Sequence, residues 1–228
     1  MRDAEQILNE IDARINRRTL LDHPFYKAWT RGELSLDSLR DYAAQYAKHV
    51  DAFPRYLSSL HSHTADAGIR RHILDNLNDE EAGRPNHPEL WVQFAEGLGV
   101  NPAEIRATAI RPETEALIDH FLTVCREGSV AAGLAALYAY ESQIPAVSRS
   151  KIDGLIAHYG IEDEEIYRYF TVHEEADVEH SRVERELLSS VITAENESEV
   201  LDSVDLTLVR LYQLLDGVCD RHGISRAA

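Results

Sequence analysis

The sequence predicts an all-α protein that folds as one domain of about seven or eight helices. Apolar residues recur at steps of three and four along most of the chain, and strand-like alternation is nearly absent. No linker rich in proline and serine, no internal repeat and no low-complexity tract divides the 228 residues. We therefore expect residues 1–228 to form a single domain around one hydrophobic core.

The apolar pattern marks the helices in chain order. In the first long pattern, residues 36–53, apolar positions recur at steps of three and four residues and mark one helical face. Glycines and prolines separate the patterns, because neither residue continues a helix well. The later helical segments are residues 69–77, 117–125, 134–147, about 162–192 and about 195–220.

One turn between helices has a clear local signature, in the segment AGRPNHPELW. Gly83 and Pro85 end the preceding helix. Asn86 followed three residues later by Glu89 predicts a capping box, with Pro88 in the first helical turn. A new helix is therefore expected to begin directly after Asn86.

Charge and composition exclude several classes of partner. Lys and Arg number 23 against 40 Asp and Glu, which gives a formal net charge of -17. Such a surface repels phosphate backbones and anionic lipid, so we expect neither nucleic acid nor a membrane as a partner. The two cysteines form no pair motif, and the sequence shows no signal-peptide pattern and no apolar run of membrane length. These features predict a cytoplasmic protein.

The segment FTVHEEADVEH, residues 170–180, has the pattern of a helix that supplies metal ligands. At about 100° per residue, His173, Asp177 and His180 project within a stripe roughly 60° wide. Apolar residues flank this stripe, so the helix buries two imidazoles and one carboxylate, groups that suit iron, manganese or zinc. A charged face with two chance histidines is the alternative interpretation. The other acids lie on the flanks and the far side of the helix: Glu174, Glu175 and Glu179.

Two further places offer partners for that helix. An acid pair, Glu80 and Glu81, closes one helix, and His87 opens the next across a tight turn. Helix phase leaves open which acid of the pair faces the core. Glu141 lies within the apolar segment AGLAALYAYE, where an unpaired carboxylate would be costly. The alternatives are a surface acid pair, a helix-capping histidine and a hydrogen-bonded buried acid.

The combined motifs resemble the heme-oxygenase-like dimetal oxidases. The residues concerned are EEAGRPNHPELW, YE-x-Q-x-P followed by K-x-x-GL, H-x3-D-x2-H and the N-terminal HPFY, and together they span nearly the whole chain. The pattern is similar to the Chlamydia protein associating with death domains (CADD) family. Pyrroloquinoline-quinone synthases and thiaminase-II-like proteins belong to the same superfamily.

The resemblance implies a heme-oxygenase-like helical bundle that contains no haem and holds two transition-metal ions, Fe/Fe or Mn/Fe. The implied ligands are Glu80, His87, Glu141, His173, Asp177 and His180. Spacing within the family motif selects Glu80 over Glu81. The resemblance also implies O2 as co-substrate, an external reductant and a homodimer.

The implied activity is synthesis of p-aminobenzoate, the aromatic part of folate, by consumption of the protein's own side chains. Tyr26 matches the sacrificed ring and Lys151 the amino donor, while Tyr42, Tyr140 and Tyr169 are further candidates for ring source or radical relay. Packing in the core is the alternative role for the tyrosines, and a solvated surface position is the alternative for Lys151. On an unbroken helix, Lys151 would lie about 15 Å beyond Glu141, so a kink or break is expected between them.

Four other functions compete with this one. A dimetal oxidase of the same fold could act on an external small molecule, and a metal-free relative could serve as an interaction protein. A thiaminase-II-like hydrolase needs a reactive cysteine, whereas Cys125 lies on an apolar helix face. A haem protein would use His23 as its proximal ligand.

Overall fold

The computed structural model describes residues 2–225 and confirms the all-α prediction. Within that range the chain forms eleven α-helices, one 3-10 turn and no β-strand. The 3-10 turn is Leu20–Asp22. The α-helices are α1 (Ala4–Arg17), α2 (Pro24–Thr30), α3 (Leu36–His63), α4 (Ala67–Glu81), α5 (His87–Gly97), α6 (Pro102–Ala107), α7 (Pro112–Glu127), α8 (Val130–Glu141), α9 (Ile144–Tyr159), α10 (Glu164–Val191) and α11 (Glu197–His222).

The helix count exceeds the seven or eight expected, for two physical reasons. The helices α2 and α6 contain only seven and six residues, too few for a recognisable 3.6-residue period. The apolar segment 134–147 is also divided between two helices, α8 and α9. The helices predicted at about 162–192 and 195–220 agree with α10 and α11 within two residues, whereas α3 continues ten residues beyond the apolar pattern of residues 36–53.

Most contacts of α8 are with three helices, α7, α10 and α11. The helix α3 packs on α4, α5 and α7, while α10 packs on α5, α8 and α9, and α11 packs on α7 and α8. Every residue of α8 from Ala131 to Glu141 is buried. A helix that is apolar all round must be enclosed, so α8 is the central helix of the bundle. Its last residue, Glu141, therefore places a carboxylate in the interior.

The expected break between Glu141 and Lys151 is present. The helix α8 ends at Glu141 and α9 begins at Ile144, with Pro145 in the first turn of α9. The Gln143 side chain stabilises this break, since its Oε1 accepts from the backbone N–H of Leu20 at 2.8 Å. Lys151 is therefore carried by a second helix, and its position is not limited by the axis of α8.

The helix starts follow the capping signals in the sequence. Asn86 Oδ1 accepts from the Glu89 N–H at 3.0 Å, and Glu89 Oε2 accepts from the Asn86 N–H at 2.9 Å. This is the predicted capping box, with Pro88 in the first turn. None of the helices within residues 2–225 is both long enough and apolar enough to cross a membrane.

Close packing at Gly154 sets the position of Lys151. The Trp29 indole N–H donates to the Lys151 carbonyl at 3.2 Å, which holds α2 against α9. A Cβ on Gly154 would lie 2.5 Å from the Trp29 ring, so no larger residue fits without displacing the indole. The absence of a side chain at Gly154 thus allows the two helices to approach.

Replacing Gly154 by valine should lower the free energy of unfolding by about 1–3 kcal/mol, because overpacking forces Trp29 out of place. The measurement is thermal and denaturant unfolding beside an Asp153→Ala control, which alters an exposed neighbour on α9. Equal stability of the Gly154→Val and Asp153→Ala proteins would contradict this account of the contact.

Candidate metal centre

Six ionisable side chains form two compact groups in the interior. One group is Glu80, His87 and His173, and the other is Glu141, Asp177 and His180. Within each group, one potential ligand atom per residue lies within 4.8 Å of the others. All six are buried except His180, which is partly exposed. The structure thus brings together the six residues that the resemblance implies as ligands.

The phase of α4 shows which residue of the pair Glu80 and Glu81 faces the core. Its buried positions are Ile69, Ile73, Asn76 and Glu80, a step of three or four residues each time. Glu81 lies on the exposed side. The apolar pattern of residues 69–77 includes Leu74 and so predicts Leu74 on the buried face, which is wrong, since Leu74 is 42% exposed. Asn76 lies on the buried face instead, one helical turn before Glu80. The buried face of α4 therefore contains Glu80 and not Glu81.

The ligand stripe of α10 has the predicted orientation. His173 and Asp177 are buried, and the three acids assigned to the flanks and far side are exposed or half-buried. Glu174 pairs with Arg149 at 2.5 Å, outside the site. Tertiary packing explains this arrangement, because α10 turns the His173 stripe towards α5 and α8.

In the first group the ring orientations are those of potential ligands. The Nδ1–H of His173 donates to the Tyr169 carbonyl at 2.7 Å, which leaves Nε2 facing Glu80 Oε1 at 3.8 Å. His87 Nδ1 lies 3.0 Å from the same oxygen. That nitrogen is buried, yet it has no hydrogen bond of acceptable geometry. Two imidazole nitrogens and one carboxylate oxygen therefore converge without satisfying one another.

In the second group one ring nitrogen of His180 faces the other potential ligands, and the second contacts Asp79 outside the group. His180 Nδ1 lies 3.3 Å from Asp177 Oδ1 and 3.7 Å from Glu141 Oε2. Its Nε2 lies 3.0 Å from Asp79 Oδ2, at the surface. Asn76 Nδ2 donates to both oxygens of Glu141, at 3.2 Å each. Outer partners of this kind fix the orientation of ligands in metal sites.

The electrostatics of the two groups favour a bound cation. Burial and the nearby Asp177 charge raise the pKa of Glu141 to about 8. Burial also acts against ionisation of Glu80, but the nearby imidazoles of His173 and His87 outweigh it and lower the pKa of Glu80 to about 2. Against the effect of burial, Asp177, Glu141 and Asp79 raise the pKa of His180 to about 10. Buried carboxylates that need this much positive charge fit a metal ion.

The chemistry of the donor set points the same way. Three carboxylates and three imidazoles on facing helices are the ligand types of bundle dimetal sites. They suit iron, manganese or zinc rather than copper(I) or calcium. The residues present therefore fit two transition-metal ions.

Lys151 and two tyrosines form a second buried cluster. Lys151 Nζ donates to the Tyr42 hydroxyl at 2.7 Å, and the Tyr26 and Tyr42 hydroxyl oxygens are 3.3 Å apart. All three side chains are buried. The surface position considered for Lys151 is therefore wrong.

An aromatic cage surrounds the Lys151 amine and changes its acidity. Burial lowers the pKa of Lys151 to about 7, because a low-dielectric site disfavours the charged form. Burial raises the pKa of Tyr26 and Tyr42 above the usual range. Nζ lies between 4.7 and 5.5 Å from the centres of five rings: Tyr26, Tyr42, Tyr46, Trp91 and Phe170.

Tyr140 and Tyr169 lie between the metal groups and the lysine cluster. Both line a small cavity that also contains Glu80, Glu141 and Asp177. Burial raises the pKa of both phenols. Both tyrosines therefore adjoin the potential ligands, as a relay role would require.

Two residues considered for other chemistry have structural roles. Cys125 is fully buried, and burial raises the pKa of its thiol, which makes it unlike a hydrolase nucleophile. His23 caps α2, since its Nδ1 accepts from the Phe25 N–H, and its Nε2 lies 3.3 Å from Asp216. Both ring nitrogens of His23 are thus engaged within the protein.

Several functional candidates were missed by the sequence analysis. Asn76 precedes Glu80 by one helical turn, so a buried polar residue in phase could have identified it. Glu184 follows His180 by one turn, is buried, and has no hydrogen bond to Oε2. Glu184, Asn76 and His180 line a surface pocket of about 440 Å³. Asp79 had no sequence signal that separates it from other acids.

The fold and the buried donor set define a helical-bundle protein with a carboxylate- and histidine-rich metal centre. The family model described as iron-containing redox enzyme matches residues 40–210. The chain belongs to this family, which confirms the predicted class of enzyme.

Similar proteins agree with this assignment. The chain is 44% identical to 4-aminobenzoate synthase of Chlamydia muridarum, over 92% of this chain and 88% of the relative. It is 41% identical to 4-aminobenzoate synthase of Nitrosomonas europaea, over 93% and 91%. A CADD-like protein from Nostoc punctiforme superposes with a TM-score of 0.74 at 18% identity, over 96% and 99% of the two chains. The CADD-like resemblance and the heme-oxygenase-like fold are thereby confirmed.

Replacing Asp79 by asparagine should weaken binding of one Fe(II) per chain by about 10- to 100-fold, because the carboxylate that orients His180 is lost. Anaerobic Fe(II) titration measures the affinity of each site. Asp75→Asn is the matched control, since Asp75 lines the same pocket without a hydrogen bond to His180. Equal affinity in the two variants would refute the orienting role.

Proposed function

We propose that this protein makes 4-aminobenzoate from its own Tyr26 ring, with Lys151 as the amino donor. The observation that carries the proposal is the buried amine of Lys151, 2.7 Å from the Tyr42 hydroxyl that contacts Tyr26. Relatives 41–44% identical over most of the chain are named 4-aminobenzoate synthases. Residues 1–228 form one domain in this proposal, supported by the single hydrophobic cluster to which the long helices contribute.

Two transition-metal ions, Fe/Fe or Mn/Fe, would be held by the two groups of ligands. One ion would bind Glu80, His87 and His173, and the other Glu141, Asp177 and His180. When bound, the ions supply the redox chemistry that activates O2. An external reductant, a cytoplasmic location and a homodimer complete the proposal by resemblance to the family.

The protein's own residues prepare the two reacting side chains. Tyrosine and 4-aminobenzoate share a para-substituted ring, so nitrogen must replace the phenolic oxygen and the Cα–Cβ bond must break. Burial keeps a large fraction of Lys151 neutral near pH 7, and only the neutral amine is a nucleophile. Tyr42 connects Lys151 to Tyr26 and can pass a proton between them. The surrounding rings exclude water from this cluster.

A second candidate function has one observation in its favour. The pocket of about 440 Å³ beside His180 is large enough for a small molecule. A dimetal oxidase that acts on an external substrate would use it and would turn over repeatedly. The Lys151 cluster would then have no chemical role. The number of product molecules per chain distinguishes the two functions, because self-consumption gives at most one.

Anaerobic loading with Fe(II), with and without Mn(II), followed by O2 and a reductant, should yield at most one 4-aminobenzoate per chain. The intact chain should lose a matching mass, because the ring is taken from the protein. Mass spectrometry of product and chain in one sample makes the measurement. Tyr26→Phe should abolish the product, whereas Tyr56→Phe, a buried tyrosine on α3 outside the cluster, should not. Product without mass loss would refute self-consumption.

The single-turnover rate should rise with pH through about 7 and then level off. Lys151 is protonated below its lowered pKa and neutral above it, so the nucleophile accumulates as pH rises. The phenols around it do not titrate in this range, because burial raises the pKa of Tyr26, Tyr42 and Tyr46. The protein is loaded with metal at one pH and then brought to each test pH by rapid mixing, and the rate of 4-aminobenzoate formation is measured there. A rate that falls between pH 6 and 8 would exclude Lys151 as the nucleophile.

A further inference from the structure

The pocket of about 440 Å³ opens at the surface directly outside the second group of potential ligands, Glu141, Asp177 and His180. Most of its lining residues belong to α4 and α10. His180 is part of both the pocket wall and the ligand group, whereas the other five potential ligands are buried. The two ligand groups therefore come closest to solvent at this pocket.

The wall between the pocket and the second group is one side chain thick at Asn76. Asn76 lines the pocket, and its Nδ2 donates to both oxygens of Glu141 at 3.2 Å each. On the outer side, the exposed Asp79 also lines the pocket and contacts His180 Nε2 at 3.0 Å. A small ion in the pocket would therefore be separated from a ligand carboxylate by one amide side chain.

The charge of the pocket suits a cation. Five carboxylates line it: Asp75, Asp79, Glu179, Glu184 and Glu186. Among the described residues in the lining, Arg182 alone is a lysine or arginine, and it pairs with both Glu179 and Glu186. A cleft lined by an excess of one charge concentrates ions of the opposite charge and speeds their binding. This pocket therefore attracts divalent cations and repels organic anions.

Glu184 is the inner acid of the pocket. It lies one helical turn after His180, is 5% exposed, and its Oε2 is buried without a hydrogen bond. Burial raises the pKa of Glu184 well above its usual range, and the charges of Glu141 and Asp177 raise it further, so Glu184 lies near the second group. It belongs to neither compact group of potential ligands. A buried carboxylate without a partner costs free energy, so packing does not account for it.

We propose that divalent metal ions enter through this pocket and that Glu184 binds each ion in transit, before the ion reaches the second group of ligands. The inference rests on the metal ligation proposed above and is independent of the reaction that the metals serve. It gives the unpaired carboxylate of Glu184 a role in loading the protein with metal.

A residue that acts only in transit changes the rates of metal binding and not the affinity. Ions that enter and ions that leave both pass Glu184, so its removal slows association and dissociation by the same factor. The acidic lining adds a second expectation. Association should slow as salt is raised, because salt screens the attraction between the pocket and the ion.

Replacing Glu184 by glutamine should slow both binding and release of Co(II) about tenfold, because the amide cannot hold a cation in transit. Stopped-flow mixing of metal-free protein with Co(II) measures association through the visible absorption of the bound ion, and mixing of loaded protein with a chelator measures release. Glu175→Gln is the matched control, since it removes the same charge from an exposed position of α10 outside the pocket. Unchanged rates in Glu184→Gln, or a weaker affinity with unchanged association, would overturn the proposal.

Blocking the pocket tests the route in a chain that retains Glu184. Val183 lines the pocket and is half-buried, while both native cysteines, Cys125 and Cys219, are fully buried. N-ethylmaleimide should therefore modify the introduced thiol of Val183→Cys alone, which the mass of the intact chain verifies. Modified protein should bind Co(II) at least as slowly as Glu184→Gln, and unmodified Val183→Cys at the wild-type rate. Equal rates before and after modification would overturn the route.

The same measurements separate failure of the route from failure of the metal centre. Wild-type protein that binds no Co(II) would refute the proposed ligand groups, and the route would fall with them. Wild-type protein that binds Co(II) at the same rate as Glu184→Gln would refute the route alone. Neither result depends on the yield of 4-aminobenzoate.

Discussion

The structure depends on the burial of three carboxylates among helices that are otherwise apolar. Glu80, Glu141 and Asp177 are buried and line the same small cavity. Three imidazoles offset part of the cost of burying these charges, and the raised pKa of Glu141 indicates that they do not offset all of it. A bound metal ion would supply the remaining positive charge.

The same interior contains two kinds of polar cluster that are kept separate. The two groups of potential ligands are acidic and connect to solvent through the partly exposed His180. The cluster around Lys151 is enclosed by aromatic rings and contains no carboxylate within hydrogen-bonding distance. This separation keeps Lys151 neutral enough to react, whereas an adjacent carboxylate would stabilise its ammonium form. Aromatic side chains occupy the space between the two clusters, where they exclude water.

Local sequence signals account for much of this architecture. The helical period gave the class, the Asn86 capping box placed His87 at a helix start, and the spacing of His173, Asp177 and His180 gave one ligand stripe. Family motifs were needed to select Lys151 and Tyr26, since a lone lysine or tyrosine has no periodic signature. Helix phase read from the sequence could not choose between Glu80 and Glu81, because Leu74 is apolar but exposed in α4. The structure shows which positions of α4 are buried, and Glu80 is one of them.

The sequence by itself determined the long helices, the helix start after Asn86 and the ligand types, because these depend on neighbours within about four residues. Only the tertiary structure decided which side chains meet. Asn76 reaches Glu141 from 65 positions away, and Tyr46 reaches Tyr140 from 94. Such contacts depend on how α3, α4 and α8 cross, and no local pattern encodes a crossing. The buried, near-neutral Lys151 has the same origin, since the rings that desolvate it come from four different helices.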